Sequence, residues 1–480
     1  SRYRMLFSSL IFLHAFLPLS LLFTWLTPSR FQNYTLLFFS LIFYAWSGPD
    51  YSLIVIFSVI YNYIFGLYIQ KFQGDKKAKR MLAACIAGNL LLLIIIKYTP
   101  FIFSNLNTVL ELMNINPLHA PEIKLIPGIS FFTFHSISYV VDIYRKESPA
   151  QKNFFSMGLY IIFFPQLIAG PIIRYHEIAD QFENRKISLD DIIYGINRFL
   201  TGLVKKVIFS NTFSYPADEI FKSGIHQIDT PTAWFGIICY TLHIYFDFSG
   251  YSDMAIGLGK MFGFTFPENF NYPYIARSVQ DFWRRWHMTL SRWFRDYVYI
   301  PMGGNRVGVL RTYFNLIFVF FLTGFWHGAS WNMIVWGLFH GFFLILERVG
   351  LEKLLKRLPV INNLYTLFVI VIAWVFFRAS DFEYAIQFIG RMFGITEGLS
   401  QGSLGVLSFL NREFNLILVI GLILAFRIPQ FFGEKIKLKS YYNLSKIMNS
   451  THYVLLFVLL FVCTFYLVKQ EHNPFIYFQF

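Results

Sequence analysis

The sequence predicts an all-α polytopic membrane protein, on three observations. Of 480 residues, 56% are hydrophobic and only 14% are charged. The mean hydropathy is +0.50, and apolar runs close to the roughly 20 residues that cross a bilayer recur along the whole chain. An ordinary soluble domain carries about 25% charged residues, so a soluble chain of this composition could not cover its surface. The same composition excludes a disordered, collagen-like or disulfide-rich secreted protein. Cys85, Cys239 and Cys463 sit singly within apolar runs, without metal-ligand spacing. Their odd number argues against a disulfide framework.

Taken in order, residues Ser1 to Arg4 precede Met5 and read as an appended remnant, which leaves 5–480 as one membrane domain. The run 6–26 is too long for a signal-peptide core and has no clear small-residue cleavage site, so it is predicted as the first span. Further spans are predicted at 33–46, 51–70, 82–103, 126–143, 191–211, 233–262, 312–328, 331–347, 363–378, 414–426 and 452–469. Counting the irregular run 154–172, the prediction is about 11–13 membrane helices. That run is interrupted by Pro165 and by Gly170-Pro171. The loops 71–80, 145–152, 277–311, 348–357 and 427–446 are basic and are predicted to be cytoplasmic. The segments 104–124, 213–232 and 379–413 are neutral or slightly acidic and are predicted to lie outside. The two sets alternate only if 154–172 enters and leaves on one side, so a re-entrant segment is expected there, with both termini outside. The formal charge of +14, from 41 Lys+Arg against 27 Asp+Glu, then follows from basic cytoplasmic loops and does not call for nucleic acid.

Residues 281–299, DFWRRWHMTLSRWFRDYVY, gather Phe282, Trp283, Trp286, Leu290, Trp293, Phe294, Tyr297 and Val298 on one side of a helical projection. Arg284, Arg285, Arg292, Arg295 and Asp296 fill the other. One amphipathic helix in the cytoplasmic interface is predicted, its arginines turned to anionic headgroups or an anionic ligand. His287 falls at the edge of the aromatic side, which leaves open both a histidine bonded to a backbone carbonyl and a functional one.

His327, in Gly324-Phe-Trp-His327-Gly-Ala, ends an apolar run and is placed inside the membrane, where an ionisable residue is by default functional. Gly324 and Gly328 are expected to leave room for a substrate. His340, His14, His135 and His243 read as packing histidines. Between Tyr245 and Gly257, Asp247 and Asp253 stand among Ser249, Tyr251 and Ser252 inside an apolar span. Such acids must be paired or hydrogen-bonded; nearby arginines could serve, orienting a histidine as a triad acid does is the catalytic alternative, and mutual satisfaction with the neighbouring hydroxyls is the favoured arrangement. Gly303-Gly-Asn305-Arg306 is a tight turn bearing one cation. No phosphate-binding loop, dinucleotide fingerprint or nucleophile elbow is present. Acid–base chemistry on an already activated substrate is the enzymatic reading. A solute transporter with His327 as a proton relay is the reading from another class.

The run Tyr245–Gly257, together with Pro267-Glu-Asn-Phe270, Phe282-Trp-Arg-Arg-Trp-His287, Asp296-Tyr-Val-Tyr-Ile300, Gly303-Gly-Asn-Arg306 and Trp326-His-Gly328, resembles the membrane-bound O-acyltransferase family. Phe164-Pro-Gln-Leu-Ile-Ala-Gly-Pro171, Tyr139-Val-Val-Asp-Ile-Tyr-Arg145 and the terminal Asn473-Pro-Phe agree. The closer resemblance is to the bacterial branch that O-acetylates exported polysaccharides, and it extends over essentially the whole chain.

The resemblance implies a ring of tilted helices around a central tunnel, in a multi-pass protein of the bacterial inner membrane. It puts the essential intramembrane histidine at His327 and the second polar position at His287. Trp326, Tyr245, Asp247, Ser249, Asp253, Trp283 and Asn305 would support the site or line the tunnel. Arg284, Arg285, Arg292 and Arg295 would meet the donor. No tightly bound cofactor or metal is implied, and acetyl-CoA is the expected acetyl donor. The implied partners are membrane lipids and a separate periplasmic SGNH-type esterase or transferase. Among acceptors, the abundance of Phe (59) and Tyr (29), with Ile, Asn and Lys, suggests an AT-rich genome and favours peptidoglycan over alginate. A related branch moves D-alanine toward teichoic acid.

Overall fold

The computed structural model describes residues 5–168, 170–396, 398, 404–427 and 445–469. Among them the chain is helical apart from turns and irregular segments such as 115–126, with one isolated bridge between Ile228 and Leu404. Every predicted span coincides with helix. Among the described residues, five helices are long and apolar enough to cross a membrane: Ser52–Lys71, Lys76–Leu112, Val309–His327, Trp331–Leu355 and Ile361–Arg378. Phe12–Leu26 and Val454–Lys469 are shorter apolar helices. The rest fall short in length or carry ionisable groups, as Thr230–Met261 does with Asp247, Asp253 and Lys260. Most of the predicted basic loop 427–446, the motif at Asn473 and residues 1–4 lie outside the described residues.

The described chain packs as two compact units. The first runs up to Ile196 and adds Ala255–Pro267. Its centre is the helix Ile129–Tyr144, buried along nearly its whole length. A side chain at Gly66 would fall 2.5 Å from the Tyr139 ring, so glycine is what lets a neighbouring helix approach. Asn62 and Asn89 exchange amide hydrogen bonds of 3.0 and 2.8 Å in the interior, each satisfying a polar group that lipid could not. In the irregular run, the helix Phe154–Ile162 ends at Phe163, whose backbone is non-helical, and Phe164–Leu167 restarts with Pro165 in its first turn. Proline is tolerated there because that turn's N–H groups have no intrahelical acceptor.

The second unit comprises Asn197–Met254 and the chain from Glu268 onward. In it the helices Val309–His327 and Trp331–Leu346 cross backbone to backbone. A Cβ at Gly324 would lie 2.3 Å from the Met333 carbonyl oxygen, and one at Gly337 would lie 2.2 Å from that of Phe320. A Cβ at Gly328 would meet the Met333 side chain at 2.8 Å. The space beside Gly324 and Gly328, expected to admit substrate, is therefore filled by the partner helix. A small residue brings two membrane helices within van der Waals contact where lipid offers no hydrophobic drive to do so.

The acids of the Tyr245–Gly257 cluster depart from the favoured hydroxyl arrangement, since their main partners are cations from the preceding helical stretch, one of them an arginine as the sequence allowed. Asp247 is fully buried against the Lys206 ammonium and accepts a 3.1 Å hydrogen bond from Ser210 Oγ. Asp253 meets Lys205 at 2.6 Å and Arg198 at 2.7 Å. The lysines are adjacent in a π-helical turn, Lys205–Ser210, and reach two acids on the neighbouring helix. Opposite charge offsets the cost of burying each group. Local hydroxyls act only in support, and Ser249 Oγ is buried with no hydrogen-bond partner among the described residues.

Candidate active site

The predicted helix over 281–299 is broken, and the break makes the site. Helix Val279–Trp283 stops, a turn follows, and Met288–Phe294 begins a second helix that passes into a π-helical turn at Arg295–Tyr299. His287 is the last of the four residues between them, with φ 43° and ψ 53°, a left-handed conformation that costs a non-glycine residue about 1–2 kcal/mol. Hydrogen bonds from the 269–271 segment hold it there. Asn271 N donates to the Arg285 carbonyl at 2.9 Å, and Met288 N donates to the Asn269 carbonyl at 2.9 Å. Periodicity foresees the two faces, but it carries no trace of a second segment competing for the backbone.

The turn drives the His287 ring inward, where it is fully buried. Phe248 meets its ring edge to face at 4.6 Å between centroids, and Trp326 lies at 6.3 Å. The His327 ring lies at 6.5 Å. His327 ends its helix, and Trp326, Trp336 and Phe377 surround it at 4.8, 5.0 and 5.4 Å. The two histidines predicted from sequence, 40 positions apart in the chain, thus share one aromatic enclosure within the second unit. Burial without a counter-charge pushes the His287 imidazolium well below the ordinary histidine range, so the ring is neutral.

Its tautomer follows from its neighbours. Asn269 Oδ1 accepts from Thr289 N at 3.2 Å, and a backbone N–H can only donate, so this atom is the amide oxygen. The same oxygen accepts from Thr289 Oγ1 at 2.8 Å and from His287 Nδ1 at 3.1 Å. Asn269 Nδ2 donates to Ser252 Oγ at 3.0 Å. The His287 proton is therefore on Nδ1, and Nε2 is buried with no hydrogen-bond partner among the described residues. His340 is set the other way. Trp283 Nε1 donates to its Nδ1 at 3.3 Å, which leaves the proton on Nε2.

Asn269, Ser252 and Thr289 did not emerge from the sequence as site residues. The one signal was a buried-type asparagine in Pro267-Glu-Asn-Phe270, between two aromatic runs. Of the residues expected to support the site, Trp326 touches both histidines and Trp283 packs on Trp336 at 5.8 Å. Tyr245 is buried one layer behind, against Tyr274 at 5.3 Å and Trp286 at 6.5 Å. Asp247 and Asp253 are bound in the ion pairs above. Asn305 is in a different place, accepting from Tyr299 at 2.5 Å and Arg348 at 3.1 Å in an exposed turn.

The four arginines divide as well. Arg285 pairs with Asp281 at 2.9 Å, Arg292 donates to the Glu268 carbonyl at 2.9 Å, and Arg295 pairs with Asp296 at 2.7 Å. Arg284 is exposed and, among the described residues, has no ion pair. Arg284 and Arg295 border a largely apolar cavity of about 200 Å³ whose walls include Leu290, Phe294, Phe320 and Thr323. Thr323 lies one helical turn before His327.

Residues 80–380 match the membrane-bound O-acyltransferase family. The chain belongs to that family. It is 38% identical over 501 residues to a probable alginate O-acetylase of Pseudomonas putida, covering 99% of this chain and 100% of the relative. It is 41% identical to the probable alginate O-acetylase of Pseudomonas aeruginosa over 92% of this chain and 82% of that one. The peptidoglycan O-acetyltransferase of Helicobacter pylori is 36% identical, over 85% of this chain and 84% of that protein. This membrane-bound O-acyltransferase is accordingly an acyltransferase, and the solute-transporter reading falls.

Proposed function

We propose that this protein takes acetyl groups from a cytoplasmic donor, acetyl-CoA, and transfers them across the bacterial inner membrane for O-acetylation of an exported polysaccharide. The observation that carries this reading is the meeting of His287 and His327 in one buried aromatic enclosure. The overall step joins an acceptor hydroxyl to the acetyl carbon and breaks the carbon–sulfur bond. The hydroxyl proton ends on the departing thiolate, so no net proton is consumed. His327 removes the hydroxyl proton on the outer side and His287 serves the thioester end. Arg284, exposed and lining the cavity, attracts the phosphates of coenzyme A, and the apolar walls accept the thioester arm. A separate periplasmic SGNH-type transferase then exchanges that ester for one on the sugar: a sugar hydroxyl takes the acetyl carbon, the first ester bond breaks, and the first hydroxyl regains a proton.

Two acceptors compete. The aromatic, AT-rich composition favours peptidoglycan, and the 38–41% identity to alginate O-acetylases favours a uronic-acid exopolysaccharide. Cells lacking the gene are complemented with the wild type or His327→Ala at matched membrane levels, and base-released acetate is measured in separated envelope fractions. Loss of acetate with His327→Ala is expected, and the fraction that loses it names the acceptor. Acetate indifferent to His327 in every fraction overturns the proposal.

A further inference from the structure

Neutral imidazole exchanges freely between two tautomers in water, and only one of them presents a lone pair at a given nitrogen. In this site the choice is made by a side chain that no reacting group need touch. Asn269 is itself fully buried, and its amide is used at both ends. The oxygen collects three donors, from His287 Nδ1, Thr289 N and Thr289 Oγ1, while the nitrogen donates to Ser252. Rotating the amide by half a turn would set an NH₂ against a backbone N–H, so its orientation is locked. Its backbone carbonyl accepts the Met288 N–H at the same time and holds the left-handed turn. One residue thereby fixes where His287 sits, how its ring is turned and which nitrogen bears the proton.

We propose that Asn269 is a positioning residue whose side-chain oxygen keeps the His287 proton on Nδ1, so that Nε2 enters the reaction as a proton acceptor. This rests on the acyltransferase reading of the site and deepens it. His287 takes onto Nε2 the proton that His327 has removed from the acceptor hydroxyl. It then releases that proton to the thiolate as the carbon–sulfur bond breaks. Both histidines end the cycle neutral, and each proton is accounted for within the pair.

The test compares Asn269→Ala, Asn269→Asp, His287→Ala and the Asn269→Ala/His287→Ala double variant in purified full-length protein, read by acetyl-CoA-dependent acyl transfer and by thermal unfolding in detergent. Asn269→Ala is expected to lower kcat about 10- to 100-fold with the donor KM little changed. Asn269→Asp keeps an acceptor oxygen and adds a negative charge beside the ring. It should retain more activity than Asn269→Ala and move the acidic limb of the rate profile to higher pH, because a raised imidazolium pKa leaves less free base at a given pH. In the His287→Ala background, Asn269→Ala should cost nothing further. If Asn269→Ala lowers activity only in proportion to lost folded protein, or multiplies with His287→Ala, the positioning role is overturned. If His287→Ala is itself fully active, it is the assignment of His287 within the proposed function that fails. Should Asn269→Ala not fold, Thr289→Val and the unshifted or shifted profile of Asn269→Asp decide the same question.

Discussion

Arg284 stands apart from the other arginines of its segment because, among the described residues, its guanidinium has neither an ion pair nor a hydrogen bond. It is exposed and lines the cavity, and under the proposed function it would hold the donor's phosphates, which do not change charge in the reaction, so its contribution would be the same in the ground and transition states. Arg284→Gln should therefore raise the donor KM several-fold with kcat preserved, whereas Arg285→Gln, already engaged with Asp281, should change KM less. Steady-state kinetics with varied acetyl-CoA checks both, and an unchanged KM for Arg284→Gln removes that residue from the donor site. At this scale the sequence was informative about identity. His327 and His287 stood out as ionisable residues in apolar surroundings, and the structure brings them together. Asn269 did not stand out, because a hydrogen-bonding side chain declares its role only when its partners, 17 to 20 positions away, are placed around it.

Helices were legible wherever apolar runs were long, since length and hydropathy alone define a span. The segment 281–299 was misread because its pattern fits an unbroken helix equally well; what interrupts it is pairing with residues 269–271. The glycines beside His327 were misread for the converse reason. Their small size was plain, but what occupies the space next to them depends on the helix opposite. Gly324→Ala puts a methyl 2.3 Å from the Met333 carbonyl oxygen, which is backbone and cannot swing away. The helices must separate, at a cost of about 1–3 kcal/mol. They carry His327 with them, so both the thermal midpoint in detergent and acyl transfer should fall. A variant with a wild-type midpoint would show that the crossing is looser than the structure has it.

For the molecule as a whole, the all-helical character and the membrane class follow from composition, while the division into two compact units does not. One unit begins its second segment inside the helix Thr230–Met261, with no linker to mark it. The first unit also contains a group whose charge bears on global stability. His176 Nδ1 lies 2.9 Å from the buried Asp142 carboxylate and 3.4 Å from Glu147. The hydrogen bond to Asp142 holds His176 above its ordinary range, against partial burial. A pKa raised on folding stabilises fully below the unfolded value of about 6.5, and that contribution is lost as pH rises through the folded value. Thermal stability in detergent should thus decline as pH is raised above about 6.5, and His176→Gln should flatten the decline. An identical slope in the variant would assign the dependence to other groups.

The lysine–acid pairs have a consequence for how the chain is made. A helix carrying Asp247 and Asp253 is a poor passenger for lipid, at about 2.5–3.5 kcal/mol for each charge near the bilayer centre. Its counter-ions, Lys206 and Lys205, are synthesised only 41 and 48 residues earlier. The stretch 189–210 and the helix Thr230–Met261 therefore reach the insertion machinery as a neutral couple. If they leave it together, each pair of charges is neutralised before it meets hydrocarbon.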